Sequence, residues 1–126
     1  MSAGDDLFER LLRYSCLSIE LSKQLFRNNV ERHVGLQFMR SATSAGANYE
    51  EARVAESRAD FIHKLGIVLK ELKECRYWLR IIKQSSLLPS KDTDPLLDEC
   101  EQLIAIMARS KITASGKALP NPQSFS

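Results

Sequence analysis

Asp60 and His63 stand three residues apart in a segment patterned as helix. At that spacing a carboxylate and an imidazole share a helix face and can converge on a metal ion. A two-metal carboxylate centre in a helical bundle needs such a pair on two helices, plus further inward glutamates. Only one near-match is present, since His33 lies in Glu31-Arg32-His33 without a matching motif. Asp60 is also explained by Ser57, with which it has the spacing of a capping box. Ser41 and Ser44 have no paired base in the sequence, and Glu50 and Glu51 read as solvent-facing or ion-paired. The chain contains no Gly-x-Ser-x-Gly elbow, no phosphate-binding glycine loop and no dinucleotide fingerprint. The expectation is a protein that binds and does not catalyse, with no cofactor and no metal.

Lys73, Arg76, Arg80 and Lys83 are the cations whose spacing carries most meaning. At 100° per residue they fall within roughly 80° of one another and form a strip about 15 Å long, along which phosphates can run. A purely structural account competes, because cations in the last turns of a helix are favoured by its dipole. The net charge is only +2, but its distribution is uneven. Residues 58–83 carry seven Lys or Arg against three Asp or Glu, whereas residues 90–112 carry three against five.

Four periodic segments must position these groups. Leu7, Leu11, Tyr14, Ser18, Leu21 and Leu25 form a helical stripe. Val34, Phe38, Ala45, Tyr49 and Ala52 form a second, and Leu96, Cys100, Leu103 and Met107 the last. The third, Phe61, Leu65, Val68, Leu72, Cys75, Leu79 and Ile82, keeps heptad spacing without a break. Capping chemistry places a helix start at Ser57 and another at Asp94, with Pro95 in the first helical position. The expected helices run over about residues 5–28, 31–56, 58–84 and 95–112, in one domain covering 1–112. Short connections favour an antiparallel up-down-up-down four-helix bundle, an all-α fold. Residues 113–126, rich in Ser, Pro and Gly without a period, read as a flexible tail.

No apolar run has the ~18 to 20 residues of a membrane span, and the first ten residues do not read as a secretory signal, so a cytoplasmic location with no membrane partner is expected. Cys16, Cys75 and Cys100 are odd in number and far apart, which suits buried thiols better than disulfides or a zinc site.

Residues 40–52, RSATSAGANYEEA, carry little side-chain bulk for a helix. Gly46 costs about 1 kcal/mol relative to alanine in a helix interior, a cost that close backbone approach between helices offsets. Asn48 falls on the same inward stripe, where a hydrogen-bonded amide would fix register. The run over residues 40–82 resembles a bacterial family named after proteins encoded in intervening sequences of 23S ribosomal RNA genes. Arg40, Ser41, Ser44, Gly46, Asn48 and Glu51 carry the resemblance, with Asp60 and Phe61 following; at Ala52 many relatives have glycine. The resemblance implies a left-handed four-helix bundle, assembled in several members as a ring of five, hence a homopentamer. It supplies no reaction. A related accessory protein of diversity-generating retroelements is similar in fold and binds nucleic acid and a reverse transcriptase.

The third helix also leaves Ile67, Trp78 and Ile81, with Tyr77 near them, on a face about a third of a turn from its core stripe. That face is the expected surface for self-association. The reading as a whole is an oligomeric bundle that binds RNA, DNA or a nucleic-acid enzyme through the basic strip; the alternative is a protein-protein scaffold with no nucleic-acid role.

Overall fold

Helix ends follow from which side chains can take over the free amides of a first turn. In a computed structural model describing residues 2–116, the helices are α1 (Ala3–Lys23), α2 (Asn29–Arg53), α3 (Arg58–Gln84) and α4 (Ser90–Ala114). Ser2 caps α1 in a complete capping box with Asp5, Asn28 caps α2 by accepting from the Glu31 amide, and Ser57 accepts from the Asp60 amide. The return bond from Asp60 to the Ser57 amide is absent among the described residues, so the expected box is half made.

Three boundaries differ from the periodic reading by three residues or more. α1 stops at Lys23 because Asn28 is a strong cap for the next helix and the chain must first turn, with Leu25 fully buried in that turn. α2 ends three residues early, at Arg53, with Val54 as its C-cap. α4 begins at Ser90, so neither Asp94 nor Pro95 has the expected role: Pro89 is the N-cap and Pro95 lies inside the helix. The extra turn carries Thr93, which is fully buried, and burial there and at Leu96 offsets the hydrogen bond that Pro95 cannot make. Of the expected tail, residues 113 and 114 are helical, Ser115 and Gly116 form the turn that ends α4, and residues 117–126 lie outside the described residues.

The chain folds as an all-α four-helix bundle in which consecutive helices run antiparallel. Arg53 at the end of α2 reaches Asp5 at the start of α1, Lys64 near the start of α3 meets Glu51 at 2.9 Å, and Lys83 meets Asp94 at 2.6 Å. α3 packs most broadly, against α2 and α4, whereas α1 and α4 meet over little backbone. Long side chains bridge that last seam: Arg10 Nε donates to Glu99 at 3.1 Å and the Tyr14 hydroxyl to the Leu96 carbonyl at 2.9 Å.

The α1–α2 contact explains the small residues. Ser22 Oγ donates to the Gly35 carbonyl at 2.8 Å, and Ser15 Oγ to the carbonyls of Leu11 at 3.0 Å and Ala42 at 3.3 Å. Hydroxyls bonded to backbone carbonyls of the facing helix require the two backbones to lie close. Gly46 is buried in this ladder, with α1 at Leu11 and Ser15 against it. Asn48 plays no part in it. Its amide is half-buried and donates to the Ser44 carbonyl of its own helix at 2.9 Å, a turn back, so it sets no register between helices.

Cys75 and Cys100 are buried, but Cys16 is exposed, on the outer face of α1. Burial pushes the Cys100 thiol up to about 11 and raises the Cys75 thiol and the Tyr14 phenol further, so all three stay protonated at neutral pH. No helix among the described residues is long and apolar enough to cross a membrane.

Candidate functional site

The strip on α3 exists as a surface, with its charges divided into two kinds. Lys73 and Arg80 are exposed and form no ion pair among the described residues. Arg76 is held by Glu101 of α4 at 3.2 Å and Lys83 by Asp94 of α4 at 2.6 Å. The acid-rich 90–112 segment supplies both counter-charges, which periodicity on α3 alone does not reveal. Arg76 and Arg80 stand between two shallow grooves. One, about 530 Å³, is lined by Lys73, Arg76, Tyr77, Arg80 and Ile81; the other, about 470 Å³, lies towards Lys83, Leu97 and Glu101.

The aromatic pair separates in the same way. The Tyr77 ring is 60% exposed and faces the groove that holds three of the four cations. Trp78 is half-buried, packed edge-on against His33 of α2 at 5.9 Å and Tyr77 at 5.2 Å between ring centroids. Trp78 and Ile81 pack on the margin of the core and Ile67 is half-buried, so the expected separate apolar face is narrower than helical angles indicate. The reason is the breadth of packing on α3, whose two neighbours cover more than the heptad stripe. Tyr77 is the one ring of this set free to stack on a flat ligand.

The small-polar signature on α2 is distributed over two interfaces. Gly46 faces α1, as above, while Arg40 and Glu51 bridge to α3. Arg40 meets Glu74 at 2.8 Å and lies 3.6 Å from Glu71; the buried Ser41 hydroxyl donates to the Gln37 carbonyl at 3.0 Å and lies 3.4 Å from Glu74. Ser44 is half-buried and supplies the carbonyl that Asn48 uses. Neither serine faces a base; Ser41 faces an ion pair. Glu71 and Glu74 were not singled out by the sequence, although their spacing on α3, one turn from the heptad core, was there to be read.

Glu71 carries a buried carboxylate oxygen without a hydrogen bond, and Arg40 is too distant to supply one. Burial, then the Glu74 charge, raises its pKa, while Arg40 lowers it less. A carboxyl whose folded pKa exceeds its unfolded one binds protons more tightly when folded, so its contribution to stability falls as pH rises through the carboxylate range. Glu71→Gln is therefore expected to stabilise the protein by about 1 kcal/mol at pH 8, with the gain fading as the pH is lowered and the parent Glu71 becomes protonated. Urea unfolding across this pH range measures it; a gain independent of pH would assign the effect to something other than ionisation.

Asp60 is half-buried at the start of α3 and His63 is exposed. Among the described residues no three His, Cys, Asp or Glu side chains form a group able to hold a metal ion.

Comparison with known proteins bears on the fold and the family. The profile described as 23S rRNA-intervening sequence protein matches residues 9–109. The fold superposes with a TM-score of 0.79 on the crystal structure of a protein of unknown function from the S23 ribosomal protein family of Bacteroides thetaiotaomicron VPI-5482. The two are 30% identical, and the match covers 83% of this chain and 97% of that one. No curated protein matches the chain. With a profile spanning all four helices and a solved relative of the same fold, the chain belongs to the 23S rRNA-intervening sequence protein family.

Proposed function

We propose that the protein is a non-enzymatic, self-associating cytoplasmic binding protein that takes RNA, DNA or a nucleic-acid enzyme along the outer face of α3. The observation that carries this reading is the groove in which Lys73, Arg76 and Arg80 surround the exposed Tyr77 ring. Cations that displace condensed counterions, beside a ring on which a base can stack, are the two components of sequence-tolerant binding to single strands. Self-association through Ile67, Trp78 and Ile81, leaving the Tyr77 ring uncovered, would align one strip with the next, and a closed ring such as a pentamer would repeat it as a band of positive potential. The ion pairs of Arg76 with Glu101 and Lys83 with Asp94 favour a second reading, a protein-protein scaffold in which the strip only ties α3 to α4.

Sedimentation velocity on the protein, alone and with a fluorescent 20-nucleotide RNA or DNA in single-stranded and in duplex form, tests both parts across a salt series. The expected results are an assembly larger than one chain, and a log affinity that falls linearly with log salt by about 0.7 to 0.9 per phosphate contact. Absence of salt-sensitive co-sedimentation with either nucleic acid would leave the scaffold reading in its place. A protein that sediments as a monomer would remove self-association.

A further inference from the structure

The cations that stand free on α3 follow a different line from the strip between Lys73 and Lys83. Gly66, Lys70, Lys73, Tyr77, Arg80 and Gln84 alternate steps of four and three, which makes one straight row on the face turned away from the core stripe. Two grooves lie end to end on this row and share Lys73 and Tyr77. The one beyond Lys73 holds about 510 Å³ and is bounded also by Gly66, Leu69, Lys70 and Glu74. Glu74 brings no free charge to it, because Arg40 of α2 meets that carboxylate at 2.8 Å. Gly66 lowers the helix propensity of α3, yet it packs against no neighbouring backbone. The place of its side chain is taken by Lys111 of α4. The ammonium nitrogen lies 3.1 Å, and Cε 3.6 Å, from where a Cβ would stand, and nothing else from another helix comes within 4 Å of that point among the described residues. Lys111 is half-buried along its stem and carries its charge across the α3–α4 seam onto the outer row. Neither Lys111 nor the exposed Lys70 forms an ion pair among the described residues.

We infer that Gly66 is a seat for the Lys111 ammonium, and that Lys111 and Lys70 extend the nucleic-acid site across the second groove, an inference that rests on the function proposed above. A single strand of RNA or DNA then runs along α3 past Lys111, Lys70, Lys73 and Arg80, with the Tyr77 ring among them. The free cations between Gly66 and Arg80 cover about 21 Å at the rise of an α-helix, against about 10 Å from Lys73 to Arg80 alone. A polyanion whose flat groups alternate with its charges matches a row in which an exposed ring stands among spaced cations. The strand is single because a base must be unpaired to stack on Tyr77. Arg76 and Lys83, tied to acids of α4, flank this row on one side, and the apolar Ile67, Trp78 and Ile81 flank it on the other.

Fluorescence anisotropy of labelled 20-nucleotide oligo(dT) and oligo(U) with the full chain, across a salt series, tests this. Each single-strand phosphate contact contributes about 0.7 to the slope of log affinity against log salt, or about fivefold in affinity at 0.1 M salt. Lys70→Gln with Lys111→Gln is expected to lower affinity by about 25-fold and the slope by about 1.4, whereas Lys91→Gln, at the far end of α4, leaves both unchanged. Gly66→Leu alters no charge and meets only the flexible end of Lys111, so the fold stays intact while the ammonium is displaced. One contact is then lost, about fivefold in affinity and about 0.7 in slope. A Gly66→Leu protein that binds like the parent would overturn the seat. Lys70 and Lys111 variants that bind like the parent, while Lys73→Glu with Arg80→Glu weakens binding, would overturn the extension and confine the site to the first groove. A parent without salt-sensitive binding of either strand would remove the proposed function itself, and the extension with it.

Discussion

Gly35→Leu is expected to cost about 3 kcal/mol of folding stability, while Gly46→Ala stays within about 1 kcal/mol of the parent. Both glycines lie on the α2 face that meets α1, but what surrounds them differs. A Cβ at Gly35 would sit 3.1 Å from the Leu25 Cβ and 3.3 Å from the Ser22 carbonyl oxygen. Backbone and a fully buried leucine cannot give way, so a larger side chain must push α1 off α2 and break the bond from Ser22 Oγ to the Gly35 carbonyl. At Gly46 the nearest atom is Ser15 Oγ at 3.2 Å, the end of a short side chain, with the Leu11 carbonyl oxygen at 3.7 Å. Alanine there needs a shift of a few tenths of an ångström and gains about 1 kcal/mol of helix propensity. The midpoint of urea unfolding followed by circular dichroism, at unchanged slope, reads both differences. A Gly35→Leu protein as stable as the parent would show that α1 and α2 are not held at close range.

That contrast also marks how far the sequence was legible. The heptad stripe on α3 identified its core because every member, Phe61 excepted, is buried with neighbours on both sides. The scarcity of side-chain bulk near Gly46 correctly indicated a close contact, yet its tightest point lies eleven residues earlier, at Gly35, which periodicity does not distinguish from any other helical glycine. What makes Gly35 special is Ser22 and Leu25, from another helix and from the turn after it, and one chain's local pattern carries no information about which residues will face each other. Asn48 departs for a related reason: it is only half-buried, and its amide donates to a carbonyl on its own helix. The boundaries of α4 moved because burial of Thr93 outweighed a proline signal that is purely local. The same limit applies to the strip. Its four cations were found by angle alone, whereas the two acids that hold half of them come from the register between α3 and α4.

Reversing the unpaired half of the strip gives the second large effect. Lys73→Glu with Arg80→Glu is expected to lower affinity for a 20-nucleotide duplex by roughly 50- to 100-fold at 0.1 M salt, and to reduce the salt slope by about 1.8. Each lost phosphate contact removes about 0.9 from that slope, which at 0.1 M salt amounts to nearly a decade in affinity relative to 1 M. Stability should change by less than about 0.5 kcal/mol, because both side chains are exposed and neither has an ion-pair partner among the described residues. Glu101→Gln supplies the opposite sign. It frees Arg76 from its carboxylate while leaving the cation in place, so binding should strengthen and the slope steepen by up to about 0.9. Nonspecific attraction to a net charge of +2 would respond to the charge change in both variants with little regard to position. A Lys91→Glu and Arg109→Glu control makes the same total change away from the groove. Equal losses in that control would locate the attraction in overall charge; a loss confined to Lys73 and Arg80 would locate it beside Tyr77.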